Sequence, residues 1–133
     1  MKNEQILENW HLQFKDQKKL NFEEAKELLK LASKETDELL KKQYQNNGWI
    51  AAICAAPSVF AGLGFLENRK ATSYPGCVDS SQCGSYVEEP VAVDGHVVTS
   101  RGVGTAIAFA LQLIEELKGK EKADQIASSI LYR

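Results

Sequence analysis

The hydrophobic pattern of the first third of the chain is that of one long amphipathic helix. Between residues 21 and 45 apolar side chains recur every three to four positions, which places them on one helical face. Asn21 followed by Glu24 is typical of a capping box, in which the two residues satisfy the first free N–H groups of a helix. The apolar positions of this face are Phe22, Ala25, Leu28, Leu29, Ala32, Leu39, Leu40 and Tyr44.

Residues 1–48 are predicted to be a helical segment distinct from the rest. They hold 18 of the chain's 34 charged residues and contain neither proline nor, before Gly48, glycine. We expect a shorter helix over residues 6–14. The stretch from Ser33 to Asp37 is weaker, and Thr36 could cap a helix that restarts there.

Residues 49–133 alternate between strand and helix patterns, which predicts an α/β half-domain. The apolar run Trp49–Ile53 is typical of a strand buried on both faces. Strands at Val87–Val93 and His96–Ser100 flank Asp94-Gly95, which predicts a type I′ hairpin. The other expected elements are a short strand at Ala71–Tyr74 and helices at Pro57–Leu63, Thr105–Leu117 and Lys120–Leu131, with Gly64 and Gly119 closing the first two.

Charge and hydropathy exclude several classes of partner. The net charge is −2 and no basic block is present, so nucleic-acid binding is not predicted. The longest apolar run, Ile50–Ala56, is far shorter than the roughly 20 residues of a membrane helix. Met1–Trp10 has no apolar core of a signal peptide. We therefore expect a soluble cytoplasmic protein without a membrane partner.

Cys54 is the strongest candidate for chemistry. It stands between the predicted strand and the helix that Pro57 opens, which is the layout of a nucleophile elbow. The amides from Ala55 onward would point toward the sulfur and favour its thiolate form. The alternative is an inert buried cysteine, since free cysteine is among the most buried residue types.

The other two cysteines do not form a predicted metal site. Cys77 and Cys83 lie in a Gly/Ser-rich loop, and His96 is the one further ligand near them in sequence. An odd cysteine count without a secretory signal also argues against a disulfide framework. His11 and His96 are interpreted as surface residues, and neither a metal nor another cofactor is predicted.

Four segments resemble, in order and spacing, the ThiJ/PfpI family. They are AAICAAPSVFAGLGFL, KATSYPG, YVEEPVAVDGHVVTSRGVGTAIAFALQLIEEL and GKEKADQIASSILYR. The resemblance implies a flavodoxin-like α/β sandwich, also described as class I glutamine amidotransferase-like. It further implies a reactive elbow cysteine and a tendency to form homodimers. Activities of the family include methylglyoxal conversion, protein deglycation, chaperoning and peptidase-type hydrolysis.

The resemblance also assigns roles to individual residues. Cys54 matches the nucleophile, and Tyr74, which stands where family members often have histidine, is the second predicted catalytic residue and would position the substrate. A tyrosine hydroxyl, which loses its proton only near pH ~10, is a poor general base. Arg101 matches a family arginine and, with Ala55 and Gly102, is predicted to bind substrate. A surface arginine at a helix entry is the open alternative for Arg101.

The front of the chain departs from the family. Members begin with a βαβ unit that carries an acidic partner of the cysteine and a Gly-Gly oxyanion turn. Neither is found here, and Glu23 and Glu24 are interpreted as a helix start. We therefore expect a partial sandwich without its first βαβ half, in which Trp49–Ile53 has an open edge. Residues 1–48 or a second copy of the chain would have to cover that edge.

Three functions remain open from the sequence. The first is an impaired cysteine-dependent glyoxalase, deglycase or hydrolase that acts on a small dicarbonyl or glycated substrate. The second is a non-catalytic remnant of the same fold that serves in dimerisation, chaperoning or redox sensing. The third is a truncated or fused reading frame.

Overall fold

The computed structural model describes residues 21–133, so the helix expected at residues 6–14 lies outside the described part. The helices are α1 (Phe22–Gln45), α2 (Pro57–Gly62), α3 (Ala106–Lys118) and α4 (Lys120–Ser129). The strands are β1 (Ile50–Ile53), β2 (Lys70–Ala71), β3 (Ser85–Tyr86), β4 (Val91–Asp94) and β5 (Val97–Ser100), and short 3-10 turns cover Ser80–Gln82 and Val103–Thr105. No helix within residues 21–133 has the length and apolar character to cross a membrane.

Helix α1 begins with the predicted capping box and then runs without a break. The Asn21 side chain accepts from the N–H of Glu24 at 2.9 Å, and the Glu24 carboxylate accepts from the N–H of Asn21 at 3.0 Å. The predicted break at Ser33–Asp37 is wrong. The Thr36 hydroxyl donates to the carbonyl of Ala32 at 2.8 Å, so Thr36 sits in the helix interior and caps nothing. Glu23 and Glu24 lie in the first helical turn, as expected.

The main sheet has three strands in the order β1-β5-β4. Strand β1 pairs with β5 in parallel, with Ile53 opposite Ser100, while β4 and β5 form an antiparallel hairpin. Strands β2 and β3 make a separate parallel pair. This is the expected α/β architecture. Within residues 21–133 the second edge of β1 has no strand partner, as the incomplete sandwich predicted.

Strand β1 is buried on one face alone, so the prediction of burial on both faces is wrong. Ile50 and Ala52 are buried in the core, whereas Ala51 between them is exposed. A continuous apolar run cannot distinguish the two cases, because alternate strand residues point to opposite faces whether or not both faces are covered.

The β4–β5 hairpin is formed as predicted, but with a different turn. Asp94 pairs with Val97, which leaves Gly95 and His96 as the two-residue loop. Gly95 has φ +59° and His96 has no positive φ. A type I′ turn needs positive φ at both positions, so this pattern fits a type II′ turn with glycine first. Strand β4 also begins later than predicted, directly after Pro90, because proline has no N–H for a ladder.

The core joins the C-terminal end of α1 to the α/β part. Leu40 and Tyr44 pack against the buried cluster, and the Tyr44 ring stacks on Phe65 with centroids 4.1 Å apart. The buried cluster consists of Ile50, Ala52, Phe60, Phe65, Leu66, Ala71, Val78 and Val97. The chain divides into compact units between Asp37 and Glu38, so the last turns of α1 share a core with residues 49–133.

Candidate functional site

Cys54 occupies the strand-to-helix turn that the sequence predicts. It follows β1 directly, and its N–H donates to the carbonyl of Ser100 at 3.0 Å, which extends the β1–β5 ladder by one residue. Its φ is +65°, a left-handed conformation that costs an L-residue roughly 1–2 kcal/mol. Strain of this kind is often found at functional sites, where it sets the direction of a side chain. The thiol is free and half-buried.

Parallel pairing brings two other predicted site residues to the same edge of the sheet. Ile53 lies opposite Ser100, so Cys54 and Arg101 both emerge at the carboxyl ends of their strands. Tyr74 arrives from the segment after β2, and its N–H donates to the carbonyl of Cys54 at 2.8 Å. Cys54, Tyr74 and Arg101 are therefore brought together from three separate segments.

Tyr74 reaches the site with an exposed side chain. Its exposed fraction is 55%. Its Cδ2 lies 3.7 Å from the position that a Cβ on Gly102 would take, so the ring covers the backbone of Gly102. The N–H of Gly102 donates to the Thr105 hydroxyl at 3.0 Å. Because that bond uses the Gly102 N–H, this N–H is not free to bind a substrate. Gly102 contributes only backbone surface beside the Tyr74 ring.

Arg101 contacts the backbone that carries Tyr74. Its Nε donates to the carbonyl of Ser73 at 3.4 Å, and its Nη2 is 4.0 Å from the Glu88 carboxylate, which is largely exposed. The Tyr86 hydroxyl donates to the same Ser73 carbonyl at 3.1 Å. Arg101 and Tyr86 thus hold the segment just ahead of Tyr74. Sequence reasoning missed Ser73 and Tyr86, because no local pattern marks a contact across 13 residues.

Ala55 offers the backbone group best placed to meet a substrate at the cysteine. Its N–H directly follows Cys54 and has no acceptor within residues 21–133. The next amide, that of Ala56, donates to the carbonyl of Ile53 at 3.1 Å. One free N–H beside the nucleophile is the kind of donor that stabilises a developing oxyanion.

Neither loop cysteine belongs to a cluster of metal-ligating side chains in the part of the chain that the structure describes. No cluster of three His, Cys, Asp or Glu side chains occurs among residues 21–133. The Cys83 sulfur points at the carbonyls of Asp79 and Ser80, at 3.9 and 4.0 Å. Burial, and then the nearby negative charge of Asp79, raises the pKa of the Cys83 thiol. The His96 ring packs beside the Tyr44 ring instead, with centroids 5.0 Å apart.

Comparison with known proteins places this geometry among proteins of one family. Residues 26–116 match the sequence profile of the DJ-1/PfpI family, and the match begins inside α1. The chain is 46% identical over 103 residues to Protein DJ-1 homolog A of Arabidopsis thaliana. It is 38% identical over 90 residues to a Caenorhabditis elegans protein named Glutathione-independent glyoxalase DJR-1.2.

A solved structure supports the same relationship. The crystal structure of Drosophila melanogaster DJ-1beta aligns with a TM-score of 0.65 and 44% identity, over 73% of this chain and 53% of that one. The matched part covers 75% of this chain and 26% of the Arabidopsis protein, and 67% of this chain and 48% of the nematode protein. The chain thus spans about a quarter to a half of the length of these relatives.

Proposed function

Because this chain belongs to the DJ-1/PfpI family, we propose that it is a cysteine-dependent glyoxalase or deglycase whose nucleophile is Cys54. Its substrates would be small dicarbonyl compounds such as methylglyoxal, or the adducts that they form on other molecules. The observation that carries the proposal is the left-handed backbone of Cys54 at the sheet edge that Tyr74 and Arg101 also reach. The name of the nematode relative adds support, since it describes a glyoxalase that needs no glutathione.

The first chemical step follows from these positions. The Cys54 sulfur attacks the aldehyde carbon, a C–S bond forms, and the carbonyl electron pair moves to oxygen. The N–H of Ala55 donates to that oxygen, which then takes up the proton that the Cys54 thiol gives up, and the product is a hemithioacetal. Tyr74 packs over the bound substrate, and Arg101 keeps the Tyr74 segment in place through Ser73.

We further propose that turnover by this chain is slow. Within residues 21–133 the Cys54 sulfur makes no hydrogen bond to a carboxylate or an imidazole, and a tyrosine replaces the frequent histidine. A positioned general acid or base commonly contributes about 10²–10⁴ in rate. Rates well below those of the longer relatives are therefore expected.

Consumption of methylglyoxal in the absence of glutathione tests the proposal. The protein is expected to convert methylglyoxal to lactate at a rate proportional to protein concentration and through many turnovers per chain. Chromatography of the lactate formed distinguishes turnover from simple adduct formation. If each chain removes only one molecule of methylglyoxal and no lactate forms, the protein is not a glyoxalase and the non-catalytic alternative is favoured.

We also propose that the chain forms a homodimer through the free edge of β1. The N–H groups of Ile50 and Cys54 point toward β5, so those of Ala51 and Ile53 point to the free edge. Apolar strand edges of this kind pair readily with another chain. Val103 and Ile107, 93% and 51% exposed, add apolar surface near the site.

Sedimentation equilibrium with an edge substitution tests the homodimer. The native chain is expected to sediment at twice its 14.7 kDa mass. Ala51→Pro removes one N–H that points to the free edge. An edge strand tolerates this change within its own chain, but pairing with a second chain needs that donor, so this variant should be monomeric. Ala51→Ser keeps the N–H and should remain dimeric. A native monomer, or a dimer that persists in Ala51→Pro, would rule out edge pairing.

A further inference from the structure

Two backbone hydrogen bonds connect Cys54 with the loop cysteine Cys77. The carbonyl of Cys54 accepts from the N–H of Tyr74 at 2.8 Å, and the carbonyl of Tyr74 accepts from the N–H of Cys77 at 3.0 Å. The second bond closes a β-turn with Pro75 and Gly76 at its centre, and Gly76 has φ +83°, as a type II turn requires. The two ends of a β-turn lie within about 7 Å of each other. Cys77 is therefore separated by one β-turn from Tyr74, whose N–H is hydrogen-bonded to the Cys54 carbonyl.

The surroundings of Cys77 allow its sulfur to approach Cys54. Both thiols are free and half-buried. Val78 is 4% exposed and anchors the chain directly after Cys77, which keeps that cysteine against the protein. The turn itself is exposed, and a Cβ on Gly76 would meet nothing within 4 Å, so open space adjoins the turn at that position. A disulfide needs Cα atoms about 4.4–6.8 Å apart, so its formation requires the turn that carries Cys77 to bring that residue within this distance of Cys54.

We propose that Cys77 is the resolving thiol of Cys54, so that peroxide converts the pair into an intramolecular disulfide. The Cys54 sulfur attacks a peroxide oxygen and the O–O bond breaks. Cys54 is oxidised to the sulfenic acid, and the peroxide is reduced and leaves as water or an alcohol. The Cys77 sulfur then attacks the Cys54 sulfur, and an S–S bond replaces the S–O bond. The departing hydroxide takes the Cys77 proton and leaves as water.

The disulfide would give the site a reversible off state. While it exists, Cys54 has no free sulfur for a carbonyl, and a reducing dithiol restores it. Because the disulfide forms from the sulfenic acid, it also diverts Cys54 from the irreversible sulfinic acid. This inference rests on the reactivity of the Cys54 sulfur and not on dicarbonyl turnover, so the two can fail separately.

Cys83 provides a matched control within the same loop. It lies beyond the 3-10 turn at Ser80–Gln82, and its sulfur faces carbonyl groups of that turn. Its raised pKa keeps it in the less reactive thiol form. Cys83 is therefore expected to take no part in the exchange, although it lies six positions from Cys77.

The experiment treats the full chain with hydrogen peroxide, blocks free thiols and maps peptides without reduction. Trypsin leaves Cys77 and Cys83 in one peptide, because no Lys or Arg lies between them, but cleavage before Asp79 separates the two. The expected product joins the Cys54 peptide to the peptide that ends at Val78. A cyclic 1,3-diketone added with the peroxide traps sulfenic acids, and is expected to label Cys54 first and to suppress the disulfide.

Variants complete the test on correctly folded protein, verified by circular dichroism. In Cys77→Ser, Cys54 is expected to accumulate as the sulfinic acid, which a dithiol cannot reduce back to the thiol. Cys83→Ser should behave as the native chain. A Cys54–Cys83 link, a link between the Cys54 residues of two chains, or sulfinic Cys54 in the native protein without any disulfide would each overturn the proposal. In all three outcomes Cys54 would still react first, which leaves its role as nucleophile intact.

Discussion

Replacing Cys54 with alanine is expected to reduce methylglyoxal consumption to the level of a protein-free control. In the proposed first step the Cys54 sulfur is the atom that bonds to the carbonyl carbon, so its removal deletes the attacking group. Loss of a covalent catalyst commonly costs far more than the ~10²–10⁴ of a single acid or base. Lactate formation by the variant and the native chain, at equal concentration, measures the effect.

The substitution should leave the fold intact, which makes the result interpretable. Alanine at φ +65° carries about the same backbone strain as cysteine there, so little stability is lost on that account. Cys83→Ala removes the same atom from a site away from the sheet edge, and it is expected to keep full activity. Lactate production that survives Cys54→Ala would refute the assignment of the nucleophile.

Replacing Tyr44 with alanine is expected to lower the free energy of unfolding by about 2–4 kcal/mol. Truncating a well-packed aromatic ring costs roughly 3–5 kcal/mol when fully buried, and Tyr44 is half-buried. Its ring lies almost parallel to Phe65, with an interplanar angle of 8°. Its hydroxyl accepts from Arg69 at 3.3 and 3.4 Å. Urea unfolding followed by circular dichroism measures the loss.

Tyr44→Phe separates the two contributions of this side chain. It keeps the stacked ring and removes only the acceptor for Arg69, so it should cost about 1 kcal/mol. An equal loss for both variants would mean that the hydroxyl, and not the ring, holds α1 to the core. If neither variant changes stability, the last turns of α1 do not belong to the cooperative unit.

The sequence could predict the features that depend on neighbouring residues. The capping box joins Asn21 and Glu24, which are three positions apart, and the elbow at Cys54 follows from a strand directly before a proline-opened helix. The hairpin was recognisable because the Asp94-Gly95 pair separates two apolar runs. In each case the residues that form the structure lie within one short stretch, so the local sequence pattern is enough to predict the local structure.

Features that depend on distant partners could not be predicted. Thr36 was interpreted as a cap because threonine favours that position, but strong helix formers on both sides of it, such as Lys34, Glu35 and Glu38, outweigh so small a preference. Exposure of Ala51 depends on what covers the sheet, which alternation along β1 does not encode. The contact from Arg101 to Ser73 joins residues 28 positions apart, and the resemblance to a family alone suggested that Arg101 lies near Cys54.

The parallel pairing of β1 with β5 also determines at which stage of translation the site can form. Cys54 leaves the ribosome roughly 40 residues ahead of the strand that pairs with it, a delay of about 2–8 s at usual translation speeds. Until β5 leaves the ribosome, the carbonyl of Ser100 cannot accept from the Cys54 amide, and Arg101, which directly follows β5, has not emerged either. A nascent chain therefore carries Cys54 outside the arrangement that the proposed chemistry requires, and that arrangement can form only after translation has passed the second half of the hairpin.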